Sequence, residues 1–195
     1  MKHNPGRGYR NEFRIIAGVW RRRKLKFPPL PGIRPSPDRV RETLFNWLQD
    51  HIEGARCLDL FAGSGALGLE ALSRGAAEVV FVDRERGVTE ALRSHLVTLK
   101  AAGGEVMQAD ALTWLSGTPS PFDIVFLDPP FDAGLLPEVG RALEGGWLKP
   151  GAFIYMEYPA DQAPAVPAHW SLWRESRAGQ VGFRLMRIGA TPGLV

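Results

Sequence analysis

CLDLFAGSGALGLE, residues 57–70, passes from a short apolar run through a glycine-rich turn into a helical pattern. The apolar run at residues 57–60 has the length of a buried strand, and Gly75 ends the helix that follows. Gly63 and Gly65 tolerate a positive φ and leave bare backbone N–H groups, which suit a carboxylate or a phosphate. The segment therefore predicts a strand, turn and helix unit with a ligand at its turn.

The same unit recurs along the chain. Strand-like runs at residues 78–83, 105–108 and 122–127 are each followed by a helical pattern. Repeated strand and helix units predict an α/β fold, in which helices cover both faces of a mostly parallel sheet. Three further strands are expected near the end of the chain, the last two forming an antiparallel hairpin at the sheet edge, at residues 152–158, 170–175 and 181–187.

Basic residues are concentrated in the first part of the chain. Residues 1–56 carry 13 Lys and Arg against 5 Asp and Glu, whereas residues 57–195 carry 11 against 16, so the net charges are +8 and −5. A basic arm beside a neutral or acidic catalytic body suits contact with phosphates. We therefore expect a nucleic acid partner, a basic arm at residues 1–35 that contacts it and a catalytic domain at residues 36–195.

The arm contains a predicted β-hairpin, because residues 14–17 and 20–27 read as two strands joined by a turn at Gly18. A helix is expected to follow, with Ser36 as its N-cap and Pro37 in its first turn. Its apolar stripe should dock on the core and leave its arginines, Arg39 and Arg41, facing outward. The residues predicted to contact RNA in this part of the chain are Arg21, Arg22, Arg23, Lys24, Arg34 and Arg39.

Several acidic residues end or directly follow predicted strands. Ligands of open α/β sheets bind beyond the carboxyl ends of the strands, so these acids should border one pocket. Asp83 lies 20 residues after Gly63, where a carboxylate accepts the hydroxyl protons of a ribose. Asp110 suits an adenine amino group, and the N-cap of the next helix nearly as well. The predicted cofactor pocket consists of Asp59, Phe61, Ala62, Gly63, Gly65, Asp83, Arg84, Asp110 and Ala111.

The choice of cofactor depends on Asp59. Gly63, Gly65 and Gly68 also match the G-x-G-x-x-G pattern of dinucleotide-binding proteins. A carboxylate just before these glycines would repel a pyrophosphate, whereas it attracts the ammonium and sulfonium charges of S-adenosylmethionine. S-adenosylmethionine is therefore the predicted cofactor. Two alternatives stay open, an NAD(P)-dependent oxidoreductase and a non-catalytic RNA-binding protein. The oxidoreductase would need an acid–base residue near the strand ends, and no histidine lies there.

The strand at residues 122–127 runs directly into Asp128-Pro129-Pro130-Phe131. Two consecutive prolines make a stiff loop with exposed carbonyls. An exocyclic amine of a base is a weak nucleophile because its lone pair is delocalised into the ring. The Asp128 carboxylate and the Pro129 carbonyl can hold its two hydrogens while Phe131 stacks on the base. The motif predicts in-line methyl transfer to a base amine, with Asp128, Pro129, Pro130 and Phe131 as catalytic residues.

The remaining features limit the kind of protein. The only cysteine, Cys57, and four scattered histidines favour neither a disulfide nor a metal site, so we expect no metal. The chain shows no leader pattern, and its apolar runs are far shorter than the ~20 residues of a membrane span. We therefore expect a cytoplasmic monomer that does not bind membranes.

With these motifs the sequence resembles the RsmD family of bacterial methyltransferases, which act on guanine N2 at position 966 of 16S ribosomal RNA. The resemblance implies a Rossmann-like class I methyltransferase fold, with a seven-stranded sheet, an antiparallel final strand and an N-terminal hairpin. It also implies 16S ribosomal RNA, in an assembling small ribosomal subunit, as the partner. The resemblance to the family extends from about residue 14 to residue 187. It rests on six segments, which are Arg14-Ile15-Ile16-Ala17-Gly18, Gly32-Ile33-Arg34-Pro35, the residues from Asp38 to Trp47, the residues from Asp59 to Glu70, Asp128-Pro129-Pro130-Phe131 and Ala178-Gly179-Gln180-Val181.

Two positions depart from the pattern of this family. Ser36-Pro37 stands where two threonines are expected, and Asp83 stands where some relatives carry glutamate. Both changes keep the proposed chemistry, but a hydroxyl contact at residue 37 is lost.

Overall fold

The structure, a computed structural model, describes residues 11–29, 35–130 and 134–189. Within these residues the strands are β1 (Glu12–Arg14), β2 (Lys24–Lys26), β3 (Arg56–Asp59), β4 (Glu78–Asp83), β5 (Gly104–Gln108), β6 (Phe122–Leu127), β7 (Leu148–Pro159), β8 (Trp170–Ala178) and β9 (Val181–Ile188). The helices are α1 (Asp38–Trp47), α2 (Ala66–Ser73), α3 (Arg86–Leu99), α4 (Ala111–Leu115) and α5 (Leu136–Leu143).

Seven strands form one sheet in the order β5-β4-β3-β6-β7-β9-β8. β9 runs antiparallel to both of its neighbours, whereas the pairs from β5 to β7 are parallel. The predicted mostly parallel sheet with an antiparallel final strand is therefore confirmed. Successive strands lead from β3 outward to β4 and β5, and the chain then returns to β6 on the other side of β3. Ligands of open α/β sheets bind at such a switch point, beyond the carboxyl ends of β3 and β6.

The side chains of the central strands alternate between two apolar clusters, one on each face of the sheet. Cys57 and Val79 pack in the cluster that contains α1, α2 and α3, whereas Leu58 and Val80 pack in the cluster that contains α4 and α5. A period of two with apolar residues at every position is typical of parallel strands covered on both sides. Helices therefore lie on both faces, as predicted.

The N-terminal hairpin forms, but both strands are shorter than predicted, and the first lies at residues 12–14 rather than 14–17. Phe13 of β1 pairs with Leu25 of β2, and both side chains are buried in the same apolar cluster as α1 and α2. Residues 15–23 form the loop between the strands, and Gly18 lies in this loop with φ +80°. The hairpin thus packs on the main core, while a domain division at residue 35 stays a prediction.

Helix α2 holds the hairpin loop in place. The Glu70 carboxylate accepts hydrogen bonds from the backbone N–H groups of Ile16 at 2.7 Å and Ala17 at 3.0 Å. The Ser73 hydroxyl donates to the Ala17 carbonyl at 2.6 Å. Since α2 begins at Ala66, directly after the glycine-rich turn, one helix carries both the turn and the hairpin.

Two predictions about α1 were wrong. Ser36 does not cap the helix, because Pro37 occupies the N-cap position and makes no side-chain hydrogen bond. Arg41 does not face outward but is fully buried, and it donates to Asp38 Oδ1 at 2.6 Å and to the Arg14 carbonyl at 3.0 Å. The hairpin covers this side of α1 and supplies acceptors there, which the helical pattern alone does not reveal.

Gly18→Ala is expected to destabilise the docked hairpin loop. A Cβ at Gly18 would lie 1.7 Å from the Ser73 carbonyl oxygen, and the backbone has φ +80°. Overpacking and left-handed strain together should lower the free energy of unfolding by about 2–4 kcal/mol. Gly54→Ala is the matched control, because Gly54 has φ +71° but nothing within 4 Å of its Cβ, so it should cost only about 1 kcal/mol. Urea denaturation measures both losses, and equal values would contradict the close approach.

Candidate active site

Four carboxylates gather at the carboxyl edge of the sheet. Asp59 ends β3, Asp83 ends β4, Asp128 directly follows β6, and Glu157 lies near the end of β7. Burial raises the pKa of both Asp59 and Asp128, and neighbouring acids raise it further: Asp83 acts on Asp59, and Glu157 and Asp59 act on Asp128. The predicted pocket acids Asp59 and Asp83 and the predicted catalytic Asp128 are thus brought together at the switch point of the sheet.

Asp59 is buried beneath the glycine-rich turn. Its Oδ2 accepts the N–H of Gly68 at 2.9 Å, in the first turn of α2. Gly65 has φ +78°, and a Cβ there would lie 2.4 Å from Cδ2 of Leu92, so the turn has no room for a side chain at this position. Burial raises the pKa of Asp59 to about 7, although the hydrogen bond from Gly68 opposes this shift. A bound cation would favour the ionised carboxylate.

Asp83 closes the same turn from the side of β4. Its Oδ2 accepts the N–H of Gly63 and its Oδ1 accepts the N–H of Glu85, both at 2.9 Å. Burial raises the pKa of Asp83 in spite of these bonds. Each oxygen keeps a second lone pair, which suits the hydroxyl donors of a ribose. Arg84, which the sequence placed in the pocket, is exposed and forms an ion pair with Glu85 at 3.3 Å.

Asp110 caps helix α4. Its Oδ1 accepts the N–H groups of Leu112 and Thr113, both at 3.1 Å, so the N-cap role is confirmed. A contact with an adenine amino group stays a prediction for the other oxygen. Of the other predicted pocket residues, Ala62 and Ala111 are buried and Phe61 is half-buried against the α4 and α5 cluster.

A buried hydroxyl connects Asp128 to a second acid. The Ser36 hydroxyl lies 3.4 Å from Asp128 Oδ2 and 2.5 Å from Glu157 Oε1, and this oxygen also accepts the Tyr155 hydroxyl at 2.8 Å. Burial, with the Glu157 charge next in importance, raises the pKa of Asp128 well above its ordinary range. Neither Ser36 nor Glu157 was predicted as a site residue. The available signal was one carboxylate inside the otherwise apolar strand pattern of residues 152–158.

The other predicted site residues are distributed as follows. Pro129 is buried and Pro130 is exposed beside Asp128. Phe131 and Arg34 lie outside the described residues. The remaining cations predicted to contact RNA are all exposed, namely Arg21, Arg22, Arg23, Lys24 and Arg39.

The acidic edge fits a cationic ligand. Among the ion pairs of residues 11–29, 35–130 and 134–189, none involves Asp59, Asp83, Asp128 or Glu157. Burying carboxylates without a cation is unfavourable, and a bound positive charge would offset this cost. The sulfonium and ammonium groups of S-adenosylmethionine supply such charges. The prediction of bare N–H groups at the two glycines was wrong, because Gly63 donates to Asp83 at 2.9 Å and Gly65 donates to the Ala62 carbonyl at 2.7 Å.

A separate concavity lies at the opposite, amino edge of the sheet. It has a volume of about 310 Å³, and its lining includes Asp123 and Lys149, which pair with each other at 2.7 Å. None of the predicted site residues lines it, so the candidate site is assigned to the carboxyl edge. In the part of the chain that the structure describes, no three His, Cys, Asp or Glu side chains are arranged to hold a metal ion, and no helix is long and apolar enough to cross a membrane.

Comparison with known proteins identifies the family. The family model described as Conserved hypothetical protein 95 matches residues 13–187. Ribosomal RNA small subunit methyltransferase D of Escherichia coli (strain K12) is 51% identical over 183 residues, which cover 93% of this chain and 92% of the relative. The chain belongs to this methyltransferase family. The resemblance noted from the sequence motifs is therefore confirmed.

Solved structures agree with this assignment. The structure described as putative methyltransferase yhhF from Escherichia coli has a TM-score of 0.86 and 50% identity, and the match covers 92% of this chain and 99% of that chain. A more distant structure, an RNA methyltransferase from Salinibacter ruber in complex with S-adenosyl-L-homocysteine, has a TM-score of 0.64 and 17% identity, covering 83% of this chain and 98% of that chain. The second match shows the shared fold, and the predicted class I methyltransferase fold is confirmed.

Proposed function

We propose that this protein transfers a methyl group from S-adenosylmethionine to the exocyclic N2 of a guanine in 16S ribosomal RNA, of the guanine 966 type. The observation that carries the proposal is the juxtaposition of Asp128, on its proline loop, with buried Asp59 beneath the glycine-rich turn. Membership of the ribosomal RNA small subunit methyltransferase D family supports the RNA substrate. The choice of guanine rests on the resemblance alone.

The glycine-rich turn and its acids bind the cofactor. When bound, S-adenosylmethionine supplies a methyl group made electrophilic by the sulfonium. Asp59 stabilises the positive charges, and Asp83 accepts hydrogen bonds from the ribose hydroxyls. The Oδ2 atom of Asp110, which does not cap the helix, accepts a hydrogen bond from the adenine amino group at the far end of the pocket.

The Asp128 loop binds the base. The Asp128 carboxylate and the Pro129 carbonyl accept the two amine hydrogens, which draws the nitrogen lone pair out of the ring plane toward the methyl group. Phe131, by its place in the motif, stacks on the base. Alignment of this kind contributes about 7–11 kcal/mol to lowering a barrier, and a carboxylate beside the developing positive nitrogen lowers it further.

The hairpin loop binds the RNA backbone. Arg21, Arg22 and Arg23 project from a loop that Glu70 and Ser73 fix to α2, so their charges have a defined position relative to the glycine-rich turn. Fixed arginines pair with phosphates and position the RNA without reading its sequence. An assembling small ribosomal subunit in the bacterial cytoplasm is the proposed partner, and the protein is proposed to act as a monomer.

Calorimetric titration separates this function from its alternatives. We expect heat from S-adenosylmethionine and S-adenosyl-L-homocysteine and none from NAD. Tight binding of NAD would favour the oxidoreductase, whose pyrophosphate would lie over the turn at Gly63. No binding of either sulfur compound, together with binding of RNA, would favour the non-catalytic RNA-binding protein.

Cofactor binding is expected to release protons near neutral pH. Since burial raises the pKa of Asp59 to about 7, much of this carboxyl is protonated at pH 7 before the cation binds, and binding favours its ionised form. Affinity should therefore fall up to about tenfold for each unit of pH below 7. Titrations in two buffers of different ionisation enthalpy measure the released protons, and Asp59→Asn should lower the number. The same number in both proteins would remove Asp59 from cofactor binding.

A further inference from the structure

A second buried acid lies behind Asp128. Glu157 is 4% exposed and Ser36 is 7% exposed, so the hydroxyl that joins the two carboxylates is closed off from water. No ion pair of the described residues reaches either acid. Two carboxylates joined by one hydroxyl in a poorly solvated site oppose each other's ionisation, which favours a single proton for the pair.

The hydrogen bonds of Ser36 fit such a shared proton. A hydroxyl has one hydrogen and can donate to only one of its two carboxylate neighbours at a time. When Ser36 donates to Glu157, the contact with Asp128 requires a proton on Asp128. When it donates to Asp128, the proton must be on Glu157. The serine bridge thus allows the pair to hold one proton on either acid.

This inference rests on the proposed function. We propose that Glu157 is a positioning residue, which through Ser36 makes Asp128 basic enough to take the proton that the base amine loses on methylation. The amine lone pair forms the N–C bond while the C–S bond breaks, which leaves a methylated ammonium. The ammonium then gives one proton to Asp128. The pair loses one proton to solvent through the half-buried Asp128 as the product leaves, so each methyl transfer releases one proton.

The groups packed around the pair are consistent with this role. Burial raises the pKa of both acids, and Asp59 on β3 adds a negative charge that raises the pKa of Asp128 further. Tyr155 donates to Glu157 at 2.8 Å, which favours ionised Glu157. On α1, the Nε of Arg41 donates to the Ser36 carbonyl at 3.2 Å. A base works best when its pKa lies near the working pH, so a raised Asp128 suits proton removal better than an ordinary aspartate.

Glu157→Gln tests the proposal through the pH profile of the single-turnover rate. The substitution keeps the shape of the side chain and removes its charge. We expect the midpoint of the acid limb to move at least about one pH unit lower and the plateau rate to fall at least about tenfold. Glu175→Gln, which removes an exposed carboxylate from β8 of the same sheet, is the matched control and should change neither value. A midpoint and plateau equal to those of the parent in Glu157→Gln would overturn the proposal.

Ser36 provides a second test. Ser36→Ala should slow the plateau rate at least about tenfold, and Ser36→Thr, which keeps the hydroxyl, should restore most of it. A Ser36→Ala rate equal to that of the parent, or a Ser36→Thr rate as low as that of Ser36→Ala, would refute the bridge.

Stability against pH gives a readout that does not depend on activity. The folded state binds more protons than the unfolded state where a carboxyl pKa is raised, so unfolding free energy falls as pH rises above about 4. This fall should be smaller in Glu157→Gln than in the parent, and an unchanged fall counts against the shared proton. If the parent protein transfers no methyl group, the proposed function itself is wrong.

Discussion

Asp128→Ala is expected to slow methyl transfer by at least ~10- to 150-fold, the equivalent of ~1.5–3 kcal/mol for one charged hydrogen bond. The substitution removes both the acceptor for an amine hydrogen and the charge that stabilises the developing positive nitrogen. Cofactor affinity should stay intact, because the proposed cofactor pocket is formed by the glycine-rich turn, Asp59 and Asp83. Single-turnover transfer to small-subunit RNA measures the rate, and calorimetry measures the binding of S-adenosylmethionine.

Asp123→Ala is the matched control for this substitution. Asp123 lies on the same strand, β6, but near its amino end, where it pairs with Lys149 at 2.7 Å. The Asp123→Ala variant should be less stable than the parent, but the folded variant should keep the turnover of the parent. Unchanged turnover in Asp128→Ala, or an equal loss in both variants, would remove Asp128 from the mechanism.

Reversing the charge of Arg21, Arg22 and Arg23 to glutamate should weaken RNA binding and flatten its dependence on salt. Each lost phosphate contact lowers the slope of log affinity against log salt by ~0.7–0.9, so three contacts correspond to roughly 2–3. Fluorescence anisotropy with a labelled RNA fragment at several salt concentrations measures this slope. Cofactor binding should not change, since the hairpin loop is attached to α2 through Glu70 and Ser73 rather than through these arginines.

The matched control reverses three arginines elsewhere on the surface. Arg174, Arg177 and Arg187 are exposed on β8 and β9, and their reversal changes the net charge by the same amount. The slope should then stay near that of the parent. Equal slopes for the hairpin variant and this control would show that the hairpin cations act only through the overall charge.

Strands and helices were predicted well from the sequence where the apolar residues follow one clear strand or helix pattern. β4 and β6 have the predicted bounds, because each is a run of strand pattern between clear turn signals. The hairpin strands were predicted too long, and the first was placed too late in the chain, since Ile16 and Ala17 bond to Glu70 and Ser73 instead of continuing a ladder. Arg41 was misplaced for a similar reason: one of its acceptors, the Arg14 carbonyl, belongs to the hairpin that docks on the helix.

In the candidate site, too, some residues could be predicted from the sequence and others could not. Asp59, Asp83 and Asp128 could be predicted because each one ends or follows a strand, and parallel strands carry such residues to one edge. Ser36 and Glu157 could not, because 121 residues separate them in the chain and nothing local marks their contact. The burial that raises the pKa of Asp128 is likewise a product of the assembled fold.

We propose that Asp128 and its proline loop direct the cofactor methyl group to a base amine in small-subunit RNA. The most direct measurement incubates the purified protein with isotope-labelled S-adenosylmethionine and small ribosomal particles that lack the modification, then maps the label by nuclease digestion and mass spectrometry. We expect one methyl group, on the N2 of the guanine at position 966 of 16S ribosomal RNA. A methyl group on a ring nitrogen, carbon or ribose oxygen, or no transfer at all, would contradict it.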